Sequence, residues 1–203
     1  MKTLHLATAL ALSAACLSAC HSPDQKWDSK SSADTLNSMK DSVADTSKST
    51  TENLVMTVNK DDARFAVEAA SGGLAEVELG QLARQKANDP QVKDFGAMMV
   101  SDHSKANDEM KTLAKNKGIS LPTTLSSANQ KLKDDLSSKS GKDFDKAYVK
   151  AMIDDHKEDI KAFESATKTL QDAQLKAFAV NTLPVLRKHL EYIEKVEQAM
   201  KNK

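Results

Sequence analysis

Asp89-Pro90-Gln91-Val92-Lys93-Asp94-Phe95-Gly96 is echoed by Asp172-Ala173-Gln174-Leu175-Lys176-Ala177-Phe178-Ala179. Each stretch reads as the far side of a hairpin turn. An Asp at the head accepts hydrogen bonds from the open N–H groups of a first helical turn, and Pro90 fits the first helical position. Working back from Asp89, apolar or small residues at Phe65, Ala69, Gly72, Leu79 and Ala83 trace one stripe of a helix from about Lys60 to Ala87, with Asp61 or Asp62 as its cap. Gly72-Gly73 weakens that helix locally and permits close packing or a bend. Working forward, Val92, Phe95, Met99, Ala106, Met110 and Leu113 mark a second helix to about Lys117, where Gly118 stops it.

The second echo is flanked in the same way. Phe144, Tyr148, Met152, Phe163 and Ala166 mark a helix over Lys142–Leu170, and Leu175, Phe178, Val185, Ile193 and Val196 mark another over Ala173–Lys201. Pro184 predicts a kink or break in the latter near Val180 to Leu183. Between the pairs, 119–141 is a long link with Pro122 and an amphipathic segment from Ala128 to Leu136. Short turns within pairs and a long link between them predict an all-α, ferritin-like four-helix bundle of two αα-hairpins with a long crossover containing a short helix. Simple up-down order is the alternative, since loop length alone separates the two.

The rest of the chain frames that domain. It has 203 residues, 29 basic and 29 acidic side chains and no net charge, so nothing in its overall charge points to nucleic acid. Residues 1–19 read as a signal peptide: Lys2, then an apolar run too short to span a membrane, ending in Leu17-Ser18-Ala19-Cys20. The ending resembles a bacterial lipobox, which implies cleavage before Cys20, acylation of Cys20 and residence in the cell envelope, on the periplasmic face or at the outer membrane. An ordinary secretory signal is the alternative. Residues 20–59, rich in Ser, Thr, Asp and Lys, read as a disordered tether in which Leu36, Met39 and Val43 allow transient helix. The bundle occupies 60–203. With Cys16 removed and Cys20 lipidated it has no thiol, so any chemistry falls to His, carboxylates, Met or Tyr. The one partner indicated is a membrane, reached through Cys20.

Within the bundle, Met99-Val100-Ser101-Asp102-His103 is echoed by Met152-Ile153-Asp154-Asp155-His156. At 100° per residue His103, His156, His189 and Glu76 all fall on inner stripes and near the middles of their helices. One ligand-capable side chain per helix would thus share one layer. A His₃Glu set suits Zn, Fe, Mn or Cu, with Asp102, Asp155 and Asp159 as supporting acceptors or extra ligands. Met99 and Met152 would suit Cu(I), but bundle cores use Met as filler. Glu78 points away.

A family resemblance rests on Gly73-Leu74-Ala75-Glu76-Val77-Glu78-Leu79-Gly80, Asp102-His103, Phe144-Asp145-Lys146-Ala147-Tyr148, Asp155-His156 and Leu183-Pro184-Val185-Leu186-Arg187-Lys188-His189-Leu190. These look like domain-of-unknown-function family 4142 across roughly residues 60 to 199. The resemblance implies a ferritin-like fold in exported, often lipid-anchored bacterial proteins, and it implies no activity.

Two restraints apply. A ferritin-like diiron site expects Glu-x-x-His on two helices, whereas Val100 and Ile153 stand three before His103 and His156. Oxygen-activating chemistry is disfavoured, and no serine or phosphate-loop motif suggests another enzyme. The plain rival is a non-enzymatic envelope module, stress-related in one version, whose buried His/Glu layer only fixes helix register.

Overall fold

The two Asp-headed turns do what their sequence predicts. Asp89 caps one helix by accepting from Gln91 N at 2.9 Å, with Pro90 in its first turn, and Asp172 caps another by accepting from Gln174 N and Leu175 N. A computed structural model describes residues 28–46 and 56–202. Its helices are α1 (Ser29–Thr46), α2 (Lys60–Lys86), α3 (Pro90–Lys117), α4 (Ser127–Ser137), α5 (Gly141–Thr169) and α6 (Ala173–Lys201). Among the described residues there is no strand, so the fold is all-α. The signal peptide and Cys20 lie outside the described residues.

α2 pairs most extensively with α3, and α5 with α6; the hairpins meet through α3 against α6 and α2 against α5. Simple up-down order would set α3 beside α5, so the arrangement is two hairpins joined by a lengthwise crossover carrying α4. The crossover begins where Gly118 ends α3 in the left-handed conformation, at φ 68°. Gly118 N donates back to the Ala114 and Lys115 carbonyls, as a glycine cap does.

Buried carboxylates tie each hairpin to the other's turn. Asp145, early in α5, accepts from Asn88 N and Asp89 N, both at 2.9 Å. Asp62, early in α2, accepts from Gln171 N at 3.1 Å and Asp172 N at 2.6 Å. Asp62 is therefore not a cap; Asn59 caps α2, accepting from Asp62 N. α2 and α3 also touch backbone to backbone. A Cβ added at Gly80 would lie 2.7 Å from the Gly96 carbonyl oxygen, and one at Gly96 would lie 2.7 Å from that of Gly80.

Two expectations need correction. α6 runs through Pro184 without the break, one of the two outcomes expected there. The carbonyl Pro184 leaves without its usual donor is that of Val180, and Val180 is exposed, so water can serve it. Residues 29–46, read as disordered tether, form α1 against α2. The buried face of α1 is Ala33 and Asn37, not the apolar Leu36 and Met39, which are exposed. Asn37 faces inward because its amide donates to the Ser120 carbonyl and accepts from Ser120 N, serving crossover backbone that no helix serves.

Removing one clamp leaves two N–H groups without their carboxylate. Asp145→Ala is expected to lower the unfolding free energy by about 1–3 kcal/mol, and Asp62→Ala at the opposite end by a similar amount. Denaturant titration should find the double variant additive, because the two ends share no partner.

Candidate metal centre

The bundle core is two apolar clusters with a polar layer between them. One holds Ala63 to Ala70 of α2, Met110 and Ala114 of α3, Phe163 and Ala166 of α5, and Leu175 to Leu186 of α6. The other holds Leu79 and Ala83, Val92 to Met99, Phe144 to Ile153, and Ile193 and Val196. On each of α2, α3, α5 and α6 one of the four predicted residues lies between them: Glu76, His103, His156 and His189. All four are buried, His156 completely.

The structure brings them into contact. The ring centroids of His103, His156 and His189 form a triangle with sides of 6.1, 5.3 and 5.5 Å, and one nitrogen from each lies within 4.8 Å of the other two. Glu76 reaches His103 Nδ1 through Oε2 at 2.6 Å, while its Oε1 stands 3.6 Å from His156 Nε2. Phe95 walls the cluster, with its ring 5.8 Å from that of His156 and 6.3 Å from that of His189.

The bonds on the outer side of each ring decide which nitrogen is bare. His156 Nδ1 lies 3.0 Å from the Met152 carbonyl oxygen, which can only accept, so Nδ1 carries the proton and Nε2 a lone pair. His189 Nε2 donates to Asp102 Oδ2 at 3.1 Å, which leaves Nδ1 bare. With Glu76 ionised, His103 Nδ1 donates to it and Nε2 is bare. Among the described residues, the buried side-chain polar atoms without a hydrogen-bond partner are Glu76 Oε1, His103 Nε2, His156 Nε2, His189 Nδ1 and Tyr148 Oη. Four of these belong to the predicted ligands, one per residue.

Burial sets the charges. It pushes the Glu76 carboxyl up to about 8. Asp155 rises to about 7 and Asp159 to about 9, through burial first and then the negative charge of Glu76. His156 falls to about 3, by burial and then the charges of His103 and His189. Burial likewise lowers His103 against the pull of Asp159, Asp155 and Asp102, and lowers His189 against its bond to Asp102. The layer is thus three neutral imidazoles beside carboxyls that hold protons, and a cation could displace those protons. A metal held here would draw on one nitrogen from each ring, and those nitrogens already lie within 4.8 Å of one another.

The supporting aspartates divide. Asp102 does the expected work of orienting a ring. Asp155 has a carboxylate oxygen within 4.8 Å of donors on Glu76 and His156. Asp159 lines a cavity of about 20 Å³, room for one water or ion, together with Glu76, His103 and Asn107. Glu78 is at the surface, paired with Lys133 at 2.7 Å. Sequence reasoning read Tyr148 as core filler and did not single out Asn107. Tyr148 is fully buried with its hydroxyl unpartnered, and burial drives that hydroxyl's pKa upward. Asn107, one turn beyond His103, packs its amide against Gly73, where any Cβ would collide with it. A polar residue one turn from a buried His was the available signal.

Two solved structures share the fold. The crystal structure of a DUF305 fragment from Deinococcus radiodurans matches with a TM-score of 0.61 at 10% identity, and CopM in its Cu(I)-bound form with 0.58 at 16%; each match covers 68% of this chain and 96% of the other. Comparison with curated proteins found no match. The family described as Domain of unknown function (DUF4142) matches residues 47–196, and the chain belongs to that family.

Proposed function

We propose that this chain is an exported, lipid-anchored, ferritin-like bundle protein that binds one transition-metal ion through His103 Nε2, His156 Nε2 and His189 Nδ1, with Glu76 Oε1 as fourth donor. The observation that carries the reading is the set of bare nitrogens. Each ring has one nitrogen engaged by Glu76, the Met152 carbonyl or Asp102 and the other buried without a partner, and one nitrogen from each ring lies within 4.8 Å of the other two. Such outer bonds orient imidazole ligands and raise their basicity. Copper and zinc are the ions an imidazole-rich set holds most tightly. That a protein of similar fold is described in a Cu(I)-bound form is in keeping with copper.

A groove of about 300 Å³ between α3 and α6, lined by Asp102, His103, Lys105, Glu109 and His189 among others, runs up to the edges of two of the buried rings. A metal supplies positive charge that neutral imidazoles and one carboxylate stabilise. Envelope residence rests on Leu17-Ser18-Ala19-Cys20. No helix among the described residues is long and apolar enough to cross a membrane. Cys20→Ala is expected to move the protein from the membrane to the soluble fraction.

The second reading is a structural layer in a non-enzymatic envelope module, favoured by the His103–Glu76 and His189–Asp102 pairs, which exist without a metal. Metal titration separates the two. The first reading expects one equivalent of Cu or Zn, a raised melting temperature, and loss of both in the His103/His156/His189→Ala variant. Asp102→Asn should weaken the metal about 10–100-fold. A wild-type chain that binds none, with a triple variant less stable than wild type, would establish the structural layer instead.

The pH dependence follows from the shifted groups. The raised carboxyls favour the fold most when protonated, so their contribution is full below the ordinary values of 4.5 for Glu and 3.8 for Asp. It is lost as pH climbs through about 7, 8 and 9 for Asp155, Glu76 and Asp159. The His156 contribution is full above 6.5 and lost as pH falls toward 3. The metal-free melting temperature should therefore peak in mild acid and decline from pH 6.5 to 9. Since metal binding needs Glu76 ionised, uptake at pH 7 should release protons, visible as a buffer-dependent heat in calorimetry.

A further inference from the structure

We propose a second cation position beside the nitrogen cluster, built from the carboxylates of Glu76, Asp155 and Asp159, that takes an oxygen-preferring divalent ion such as Mn²⁺. The donor atoms of Glu76, Asp155 and His156 lie within 4.8 Å of one another. His156 Nε2 stands 3.6 Å from Glu76 Oε1 and has one lone pair, which the proposed nitrogen site takes, so the donors left on this side are oxygens. Glu76 divides between the two positions: Oε2 meets His103, while Oε1 is buried and has no hydrogen-bond partner. A carboxylate oxygen has more than one lone pair and can bridge two ions. Asp159 follows Asp155 by one turn of α5 and so presents its carboxylate on the same face.

Acids elsewhere in the fold have close partners, whereas Asp155 and Asp159 stand partly exposed on the groove side of α5. Asp62 and Asp145 each hold two backbone N–H groups, and Asp172 pairs with Lys117 at 2.7 Å. The charges acting on Asp155 and Asp159 are those of neighbouring acids and His103, with no Lys or Arg among them. The nearby Lys157 is turned away, to Glu194 at 2.9 Å.

The surroundings supply both room and a path. Asp159 lines the cavity of about 20 Å³ that Glu76 and His103 also line. Asp155 and Asp159 also line a surface groove of about 560 Å³, with Glu158, Glu68 and Asp28 on its other walls. Lys30, its one basic lining residue, is paired with Glu68 at 2.7 Å. A groove with this balance concentrates cations and leads them to the two aspartates at its inner wall. Three carboxylates with water in the remaining positions suit Mn²⁺ or Mg²⁺ better than Cu or Zn, which the neighbouring imidazoles prefer.

The position shares Glu76 with the proposed nitrogen site but none of its histidines, so the two readings fail separately. The test is Mn²⁺ binding to the full chain at pH 8, followed by loss of the free-ion electron paramagnetic resonance signal, with and without one equivalent of Zn²⁺. One equivalent of Mn²⁺ is expected in both cases. The near-isosteric Asp155→Asn/Asp159→Asn variant should lose the Mn²⁺ equivalent and keep Zn²⁺. His103→Ala/His189→Ala should lose Zn²⁺ and keep Mn²⁺, with circular dichroism verifying the fold of each variant. A wild-type chain that binds no Mn²⁺, or a folded Asn variant that binds it as tightly as wild type, would overturn the proposal.

Discussion

Three imidazoles and a carboxyl are held out of water between two apolar clusters, and the rest of the bundle is arranged around that desolvation. Leaving a buried donor or acceptor unpaired costs on the order of 1–3 kcal/mol. The five unpartnered atoms of this region therefore represent a penalty comparable to the whole stability of an ordinary domain. The arrangement lowers it in the only ways available to polar groups away from water. Outer ring nitrogens are bonded to Glu76, Met152 and Asp102, protons stay on the carboxyls, and positive charge stays off the rings. What is left over includes one bare nitrogen on each ring, and a cation shared by the three rings is the partner the proposed reading supplies.

Keeping four residues from four helices at one depth requires control of register. Each lies about four to five turns in from the N-terminal cap of its own helix, and neighbouring helices run in opposite directions, so similar lengths make the midpoints meet. The clamps fix the ends: Asp145 holds one hairpin turn and Asp62 the other, each reaching across from the opposite hairpin. Gly80 against Gly96 sets how closely α2 and α3 approach one turn beyond Glu76. Gly73, one turn on the other side, makes room for Asn107.

Much of this was legible in the sequence, because the signals are local. Helix stripes, Asp caps, Gly118 as a stop and the depth of Glu76, His103, His156 and His189 all follow from periodicity along single helices. What escaped is what depends on a partner. Asp62 reads as a cap because an Asp near a helix start usually is one, yet it serves a turn 109 residues away. α1 reads as tether because its apolar residues are few; its inward face is chosen by Asn37 bonding to Ser120, which no spacing rule sees. Pro184 reads as a break because a local rule ignores the solvent waiting at Val180. The roles within the site likewise needed three dimensions: the sequence offered Glu76 as a ligand, and the structure makes it orient His103 as well.

The central claim is that the three rings present particular nitrogens to one ion, and long-range proton–nitrogen correlation of the ¹⁵N-labelled, Zn²⁺-loaded chain at pH 8 tests it most directly. The account predicts zinc-dependent shifts at His103 Nε2, His156 Nε2 and His189 Nδ1. The protons should remain on His103 Nδ1, His156 Nδ1 and His189 Nε2. Rings that do not respond to zinc, or a His189 that coordinates through Nε2, would contradict it.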